Sequence, residues 1–249
     1  MAVQILCVIP ARLGANRLPR KPLRLLSGEP LVRHVARRAL ESAIACRVVV
    51  ATDHPSVAEA VTPLPIDVIF TDPAHRCGTE RVAEVAARPE FSGAEIVLNI
   101  QGDEPFFPVE AARDAVHEVE AGRHVGTVGA QLEPADLLDP DRVKVVVGGD
   151  GVARCFARSL SASAAWHGEG DVRRHLGIYA YSRSALARWA AAPPGVEERA
   201  EGLEQLRPLQ LGMSVGVVRY DAPAPPAVDT IDDLSAAERY MTLSIQRVG

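Results

Sequence analysis

Short, near-continuous apolar runs at residues 3–9, 48–51, 68–70 and 96–100 alternate with stretches whose apolar positions recur at helical spacing. Runs without a polar face predict strands covered on both sides, as in a parallel sheet. The stretches at 31–43, 57–61 and 79–87 predict amphipathic helices, and another is expected to start near Pro108. The order βαβαβ predicts a doubly wound α/β unit. Farther along, runs at 127–132, 143–147 and 152–156 are joined by short turns, and Gly148-Gly149-Asp150-Gly151 is a hairpin signal, so an antiparallel extension is expected. A polar loop at 159–171 follows. From Arg174 the chain alternates, with His175, Gly177, Tyr179 and Tyr181 on one face and Leu176, Ile178 and Ala180 on the other. One face is then expected to line a pocket while the other packs. Helices are predicted at 182–191 and 197–206, a strand at 215–219, a stiff proline connector at 223–226 and a closing helix at 231–246. Glu198, Glu201 and Gln205 share a helix face that reads as solvated.

Composition removes several classes of function. A net charge of −5 argues against a broad basic surface for nucleic acid, and 4% aromatic residues leave little for stacking bases. No apolar run approaches the roughly 20 residues that span a bilayer. The chain opens on an apolar strand without a basic leader, so a cytoplasmic protein is expected. Cys7, Cys46, Cys77 and Cys155 are far apart and the histidines are scattered, which reads as reduced thiols and disfavours a soft-metal site. Of the 27 basic residues, only Lys21 and Lys144 are lysines. Trp166 and Trp189 read as packing residues.

Three segments carry candidate chemistry. The first strand runs into Pro10-Ala11-Arg12, then Arg17-Leu18-Pro19-Arg20-Lys21-Pro22-Leu23, where ligands of a doubly wound sheet bind. This loop has no dinucleotide fingerprint and no P-loop. Its four cations suit a triphosphate, and equally a solvated basic loop. Past the fourth strand, Gln101-Gly102-Asp103-Glu104 places a carboxylate after a glycine, either as a Mg²⁺ ligand or as a turn cap. Near the end, Thr230 and Asp233 resemble a capping box, which does not require Asp229; that residue lies just outside the helix and is a candidate second metal ligand.

Taken in order, these segments resemble a known set. With Ala51-Thr52-Asp53, Gly78-Thr79-Glu80-Arg81, Arg174-His175-Leu176-Gly177-Ile178-Tyr179, Leu203-Glu204-Gln205-Leu206-Arg207 and Val228-Asp229-Thr230, they look like the motifs of the 3-deoxy-manno-octulosonate (Kdo) cytidylyltransferases, the CMP-Kdo synthetases. The resemblance covers nearly the whole chain. It implies a Rossmann-like mixed sheet of the nucleotide-diphospho-sugar transferase type with a smaller antiparallel dimerisation lobe, a homodimer, and Mg²⁺-dependent transfer of CMP from CTP to an acidic acceptor with release of pyrophosphate. Residues 1–249 would form one domain, with 1–132 and 208–249 mainly nucleotide-binding core and 133–207 mainly acceptor and dimerisation lobe.

Carried over residue by residue, the resemblance makes Arg12, Arg17, Lys21, Asp103 and Asp229 catalytic, the two aspartates as Mg²⁺ ligands. Pro10, Ala11, Arg12, Lys21, Thr79, Arg81, Gln101 and Asp103 would bind the nucleotide. Gln101, Arg158, Arg174, His175, Tyr179, Glu204 and Gln205 would bind the acceptor.

The chain departs from the family at two places. Cys77 stands where the family has serine, and Ala157-Arg158-Ser159-Leu160-Ser161-Ala162 replaces Ser-Arg-Ala-x-Ile-Pro ahead of a shortened connector. Because that segment borders the acceptor pocket in the family, a smaller acceptor is expected, a phosphonate such as phosphonoformate from natural-product biosynthesis, with Arg158, Arg173 and Arg174 as counter-charges. Kdo, used in lipopolysaccharide biosynthesis, is the alternative acceptor, and a non-catalytic CTP-binding protein is the rival from another class.

Overall fold

The computed structural model describes residues 3–14, 17–160 and 170–246. Trp166, Ser161, Ala162 and most of the 159–171 loop lie outside the described residues. In chain order the elements are β1 (Ile5–Pro10), β2 (Leu25–Leu26), β3 (Glu29–Pro30), α1 (Leu31–Glu41), β4 (Arg47–Thr52), α2 (Pro55–Val61), β5 (Asp67–Phe70), α3 (Gly78–Ala86), β6 (Ile96–Ile100) and α4 (Val109–Glu120). There follow β7 (Val125–Gln131), α5 (Pro134–Leu138), β8 (Lys144–Val147), β9 (Ala153–Ala157), β10 (Asp171–Ser182), α6 (Arg183–Ala191), α7 (Val196–Glu201), α8 (Leu206–Gln210), β11 (Val215–Pro223) and α9 (Ile231–Gln246). This is an α/β fold, and no described helix is long and apolar enough to cross a membrane.

The chain forms two compact units. The first comprises residues 1–94, 99–107 and 225–249. In it β1 pairs parallel with β4, Val8 opposite Val49, and β4 pairs parallel with β5, Val50 opposite Val68. Val8, Ile9, Val49, Val50 and Ala51 are fully buried, which is why their runs carry no polar alternation. A second cluster joins Leu18, Leu26, Leu31, Val228 and Ala237, with Leu234 and Met241 of α9 packed on it. It anchors the basic loop and the last helix to each other. Helix α9 begins on a real capping box: the Asp233 amide donates to Thr230 Oγ1 at 3.2 Å, and the Thr230 amide to the Asp233 carboxylate at 2.9 Å.

The second unit comprises residues 95–98 and 108–224, wider than the 133–207 lobe expected above because α4 packs on β7, β10 and β11. Its strands are mixed: β11 runs parallel to β7, β7 antiparallel to β10, and β10 antiparallel to β8, which forms the expected hairpin with β9. Two expectations hold only in part here. Along β10 the packing face is buried, but of the other face only His175 and Gly177 are partly exposed, Tyr179 and Tyr181 being buried, and the register against β7 shifts between Leu176 and Tyr179. Leu176 and Ile178 are buried, while Tyr179 stacks on Tyr181 at 5.9 Å and both meet Trp189 of α6 edge-on. The helix expected over 197–206 breaks at Gly202, whose φ of +64° caps α7 in the left-handed region that favours glycine. That break folds α8 back so that Arg207 Nε donates to buried Glu198 at 2.8 Å. The supposedly solvated face is therefore half of a buried ion pair, and Gln205 is buried as well.

Removing one partner of such a pair strands the other charge. Glu198→Ala is expected to cost about 3–5 kcal/mol, read as a lower urea midpoint, whereas Arg47→Ala at the exposed Arg47–Asp67 pair should cost no more than about 1 kcal/mol. Equal small losses would contradict the burial argument. His175 predicts a pH effect. Burial pushes its imidazole down from 6.5 to about 3, so below pH 6.5 the unfolded chain binds a proton that the folded chain excludes. Its contribution is full above pH 6.5 and is lost as pH falls toward 3. In acid titrations followed by circular dichroism, His175→Gln should flatten the stability loss in that window; an unchanged slope would place the titration elsewhere.

Candidate active site

Within the first unit, a cleft of about 360 Å³ opens at the carboxyl ends of β1 and β6. Pro10, Ala11, Arg12, Arg17, Lys21, Cys77, Gly78, Arg81, Gln101, Gly102, Asp103 and Asp229 line it, together with Leu18 and Pro22. The local structure explains how they converge. The Ala11 amide bonds the Ala51 carbonyl and Thr52 Oγ1 bonds the Ala11 carbonyl, both at 2.8 Å, stapling the chain after β1 to the end of β4. Asp53 continues this, accepting from the Leu13 amide at 3.1 Å and from Arg81 Nη2 at 3.1 Å. Arg20 takes a φ of +56° and turns the chain into the short 3₁₀ turn that presents Lys21. After β6, Gly102 is needed for close approach, since a Cβ there would lie 2.9 Å from the Pro10 carbonyl oxygen. The Asp103 carbonyl then accepts from the Val228 amide at 2.9 Å, which draws Asp229 into the cleft.

The centre of the cleft is an ammonium between two carboxylates. Lys21 Nζ donates to Asp103 at 2.6 Å and to Asp229 at 2.9 Å, and Arg17 reaches the same Asp229 oxygen at 3.0 Å. Burial by itself lowers the lysine pKa, but the two aspartates overcome this and hold it above its ordinary value, so Lys21 is charged at any physiological pH. Four basic side chains against two carboxylates make the lining positive in a chain whose net charge is −5. The first turn of α3 adds to this, since Cys77 and Gly78 border the cleft and backbone amides at a helix start favour anions. Cys77 occupies the N-cap without capping the helix through its side chain, where serine's better acceptor would do so.

Of the nucleotide-binding candidates, Pro10, Ala11, Arg12, Lys21, Arg81, Gln101 and Asp103 line the cleft; Thr79 is buried one residue beyond Gly78. Of the acceptor candidates, Gln101 lines it, while the others belong to the second unit. There His175 donates from Nε2 to Thr127 Oγ1 at 2.9 Å, Thr127 in turn donating to the Ile178 carbonyl at 2.7 Å, within an aromatic cluster whose burial disfavours the protonated ring. Tyr179 and Gln205 are buried and Glu204 is partly so. The arginines offered as counter-charges are already engaged: Arg174 with Asp136 at 3.3 Å, Arg173 with Asp171 and Asp221 at 2.7 and 2.8 Å, and Arg158 with the carbonyls of Glu201 and Pro140. Lys144 is also structural, its buried ammonium on the carbonyls of Asp139 and Arg158. Asp53 carries no role in the sequence reading, although it follows β4 as Asp103 follows β6, and that shared position was the available signal.

An α/β unit whose strand ends gather cations, paired carboxylates and a helix start in one cleft belongs to the nucleotidyltransferase class. A family model described as cytidylyltransferase matches residues 6–215. The 3-deoxy-manno-octulosonate cytidylyltransferase of Gemmatimonas aurantiaca is 48% identical over 242 residues, spanning 95% of this chain and 93% of its own. The enzyme of the same name from Stenotrophomonas maltophilia is 42% identical over 94% of this chain and 96% of its own. Among solved structures, CMP:2-keto-3-deoxy-manno-octonic acid synthetase complexed with CTP superposes with a TM-score of 0.86 at 34% identity, covering 97% of this chain and 99% of that one. A 4-diphosphocytidyl-2C-methyl-D-erythritol synthase from Anaerococcus prevotii, 12% identical with a TM-score of 0.63 over 96% of each chain, shares the fold. The chain therefore belongs to the 3-deoxy-manno-octulosonate cytidylyltransferase family and is a CTP-dependent cytidylyltransferase. The non-catalytic alternative falls with that statement, and nothing in these comparisons favours the phosphonoformate branch.

Arg81 is 2% exposed and its guanidinium is paired with Asp53 at 3.1 Å. Asp53→Ala is expected to destabilise the protein by about 3–5 kcal/mol through the stranded guanidinium and to weaken nucleotide binding by loosening the loop at Leu13. Differential scanning calorimetry with and without CTP reads both, and a melting temperature equal to that of the unsubstituted protein would refute the assignment.

Proposed function

We propose that this enzyme transfers CMP from CTP to Kdo, releasing pyrophosphate, with its chemistry in the cleft around Lys21. The observation that carries the reading is the convergence of Lys21, Asp103 and Asp229, held by a buried scaffold and positioned where the family's motifs fall. The Kdo acceptor is supported by relatives of that name at 40–48% identity over more than nine-tenths of the chain. It is also supported by the pairing of Arg174 with Asp136, both largely buried, which withdraws one of the counter-charges on which a compact phosphonate reading stood.

In the reaction the acceptor hydroxyl oxygen bonds to the α-phosphorus of CTP, the bond from that phosphorus to the bridging oxygen breaks, and pyrophosphate departs as the hydroxyl proton is lost. Acceptor and phosphate are both anions, so the protein's work is to place cations and fix geometry. Arg12, Arg17 and Lys21 hold the triphosphate and neutralise the charge that grows on the leaving pyrophosphate. Arg81, braced by Asp53, and Gln101 border the rest of the nucleotide.

Two carboxylates that already share one cation form the hard-oxygen donor pair that Mg²⁺ takes alongside substrate phosphates, so the residues fit the metal the family uses. Asp103 and Asp229 would hold it, and it would supply positive charge at the α-phosphate and orient the attacking hydroxyl.

The test is product mass. With CTP, Mg²⁺ and equal Kdo and phosphonoformate, the cytidylylated product should be CMP-Kdo; a cytidylylated phosphonoformate would overturn the acceptor. Asp103→Asn and Asp229→Asn should each lower turnover by roughly 10²–10³-fold, the scale of removing one electrostatic contributor from a site, with unchanged circular dichroism. Wild-type rates in both would overturn the metal assignment.

A further inference from the structure

Asp103 and Asp229 are directed at one point, and the group at that point is the ammonium of Lys21. No group of three or more His, Cys, Asp or Glu side chains among the described residues is placed to hold a metal ion. Two carboxylates alone underfill the octahedral shell of Mg²⁺, which normally draws further oxygens from substrate phosphates. Lys21 donates to one oxygen of each carboxylate, at 2.6 and 2.9 Å, from a side chain only 20% exposed, and so occupies the point on which the pair converges.

We propose, resting on the reading of this cleft as the CTP site, that Lys21 is an internal place-holder for the divalent cation: it occupies the aspartate pair in the free enzyme and yields it only when nucleotide phosphates draw the ammonium away. The exchange leaves the two carboxylates compensated at every stage. Before nucleotide arrives, the lysine prevents two neighbouring carboxylates from repelling each other; afterwards its charge moves to the phosphates and the metal takes over at the carboxylates. Lysine suits the task because its ammonium is a compact point charge on a flexible four-carbon stem, while an arginine fork would bind a carboxylate bidentately and be harder to release. Metal and nucleotide then bind with positive coupling, and the free enzyme discriminates against divalent cations although its ligands are in place.

Because the chain contains only two lysines, Lys21 and Lys144, the exchange is directly visible. In protein labelled with ¹⁵N at lysine Nζ, Mg²⁺ alone should leave the Lys21 resonance in place, and CTP should shift it, with Lys144 as the internal control. A Lys21 signal that moves with Mg²⁺ alone, or that stays put when CTP is bound, overturns the proposal. An independent reading is Mn²⁺ binding by electron paramagnetic resonance without nucleotide. Lys21→Met should tighten it by roughly ten- to a hundredfold, the range over which groups bordering a metal site alter its affinity, and Lys21→Arg should not. Equal Mn²⁺ affinity in folded Lys21→Met and wild type also overturns the proposal, and if Lys21→Met fails to fold, the labelled wild type decides. No acceptor is present in these measurements. Failure to bind CTP at all would overturn the nucleotide-site reading itself, whereas CTP binding without lysine movement would overturn this inference alone.

Discussion

Lys21 meets partners 82 and 208 residues away along the chain, so one ammonium gathers the loop after β1, the turn after β6 and the segment before α9. At about 4 Å and an effective dielectric near 20, two like charges repel by about 4 kcal/mol. The aspartates therefore keep their convergence only while positive charge stands between them. Everything else in the cleft follows from how the scaffold holds these three groups in reach of one another, and the positive character of the lining is what remains after the aspartates are satisfied.

That scaffold works mainly through backbone. The chain past β1 is stapled to the end of β4 by the Ala11 amide, Thr52 Oγ1 and Asp53, so Arg12 leaves a fixed point. Gly102 allows the two strand ends to approach, and the Val228 amide binds the Asp103 carbonyl, so one aspartate positions the other. The capping box then sets where α9 begins: the Asp233 carboxylate also accepts from the Asp229 amide at 3.1 Å, which ties the orientation of Asp229 to the first turn of that helix. Leu18, Leu26 and Val228, all buried, supply the apolar weight behind these hydrogen bonds.

This division explains what could be read from the residues in advance. Strand β6 and helix α9 fall where the pattern puts them, at Ile96–Ile100 and Ile231–Gln246, because an uninterrupted apolar run and a capping box are local signals. The basic loop and Asp103 were legible for a similar reason: they follow strand ends, where topology directs ligands, while Asp229 stood out beside the capping box. What escaped depends on partners distant in sequence. Arg174 finds Asp136 38 residues away and Arg173 finds Asp221 48 away, so neither pairing leaves a local trace. Gly202 broke the predicted helix because a left-handed cap ends a helix wherever its periodicity would carry on. The strand β10 alternates in sequence, yet Tyr179 and Tyr181 on the expected pocket face are buried, since covering there depends on Trp189 of α6.

The acceptor question turns on the same distinction between a charge counted and a charge available. Arg158, Arg173 and Arg174 suggested a compact, highly anionic acceptor because a sequence shows each arginine without its partner. Once Asp136, Asp171 and Asp221 are placed beside two of them and backbone carbonyls beside the third, their charge is committed within the second unit. Releasing Arg174 toward a ligand would leave the largely buried Asp136 uncompensated, an unfavourable exchange, whereas the exposed Asp221 holds Arg173 only weakly. A polyhydroxylated acid asks for less concentrated charge and more hydrogen bonding than a phosphonate. A paired Arg174 and a His175 whose burial disfavours protonation are therefore consistent with the sugar-acid acceptor proposed above, for which the departures from the family motif at 157–162 are no obstacle.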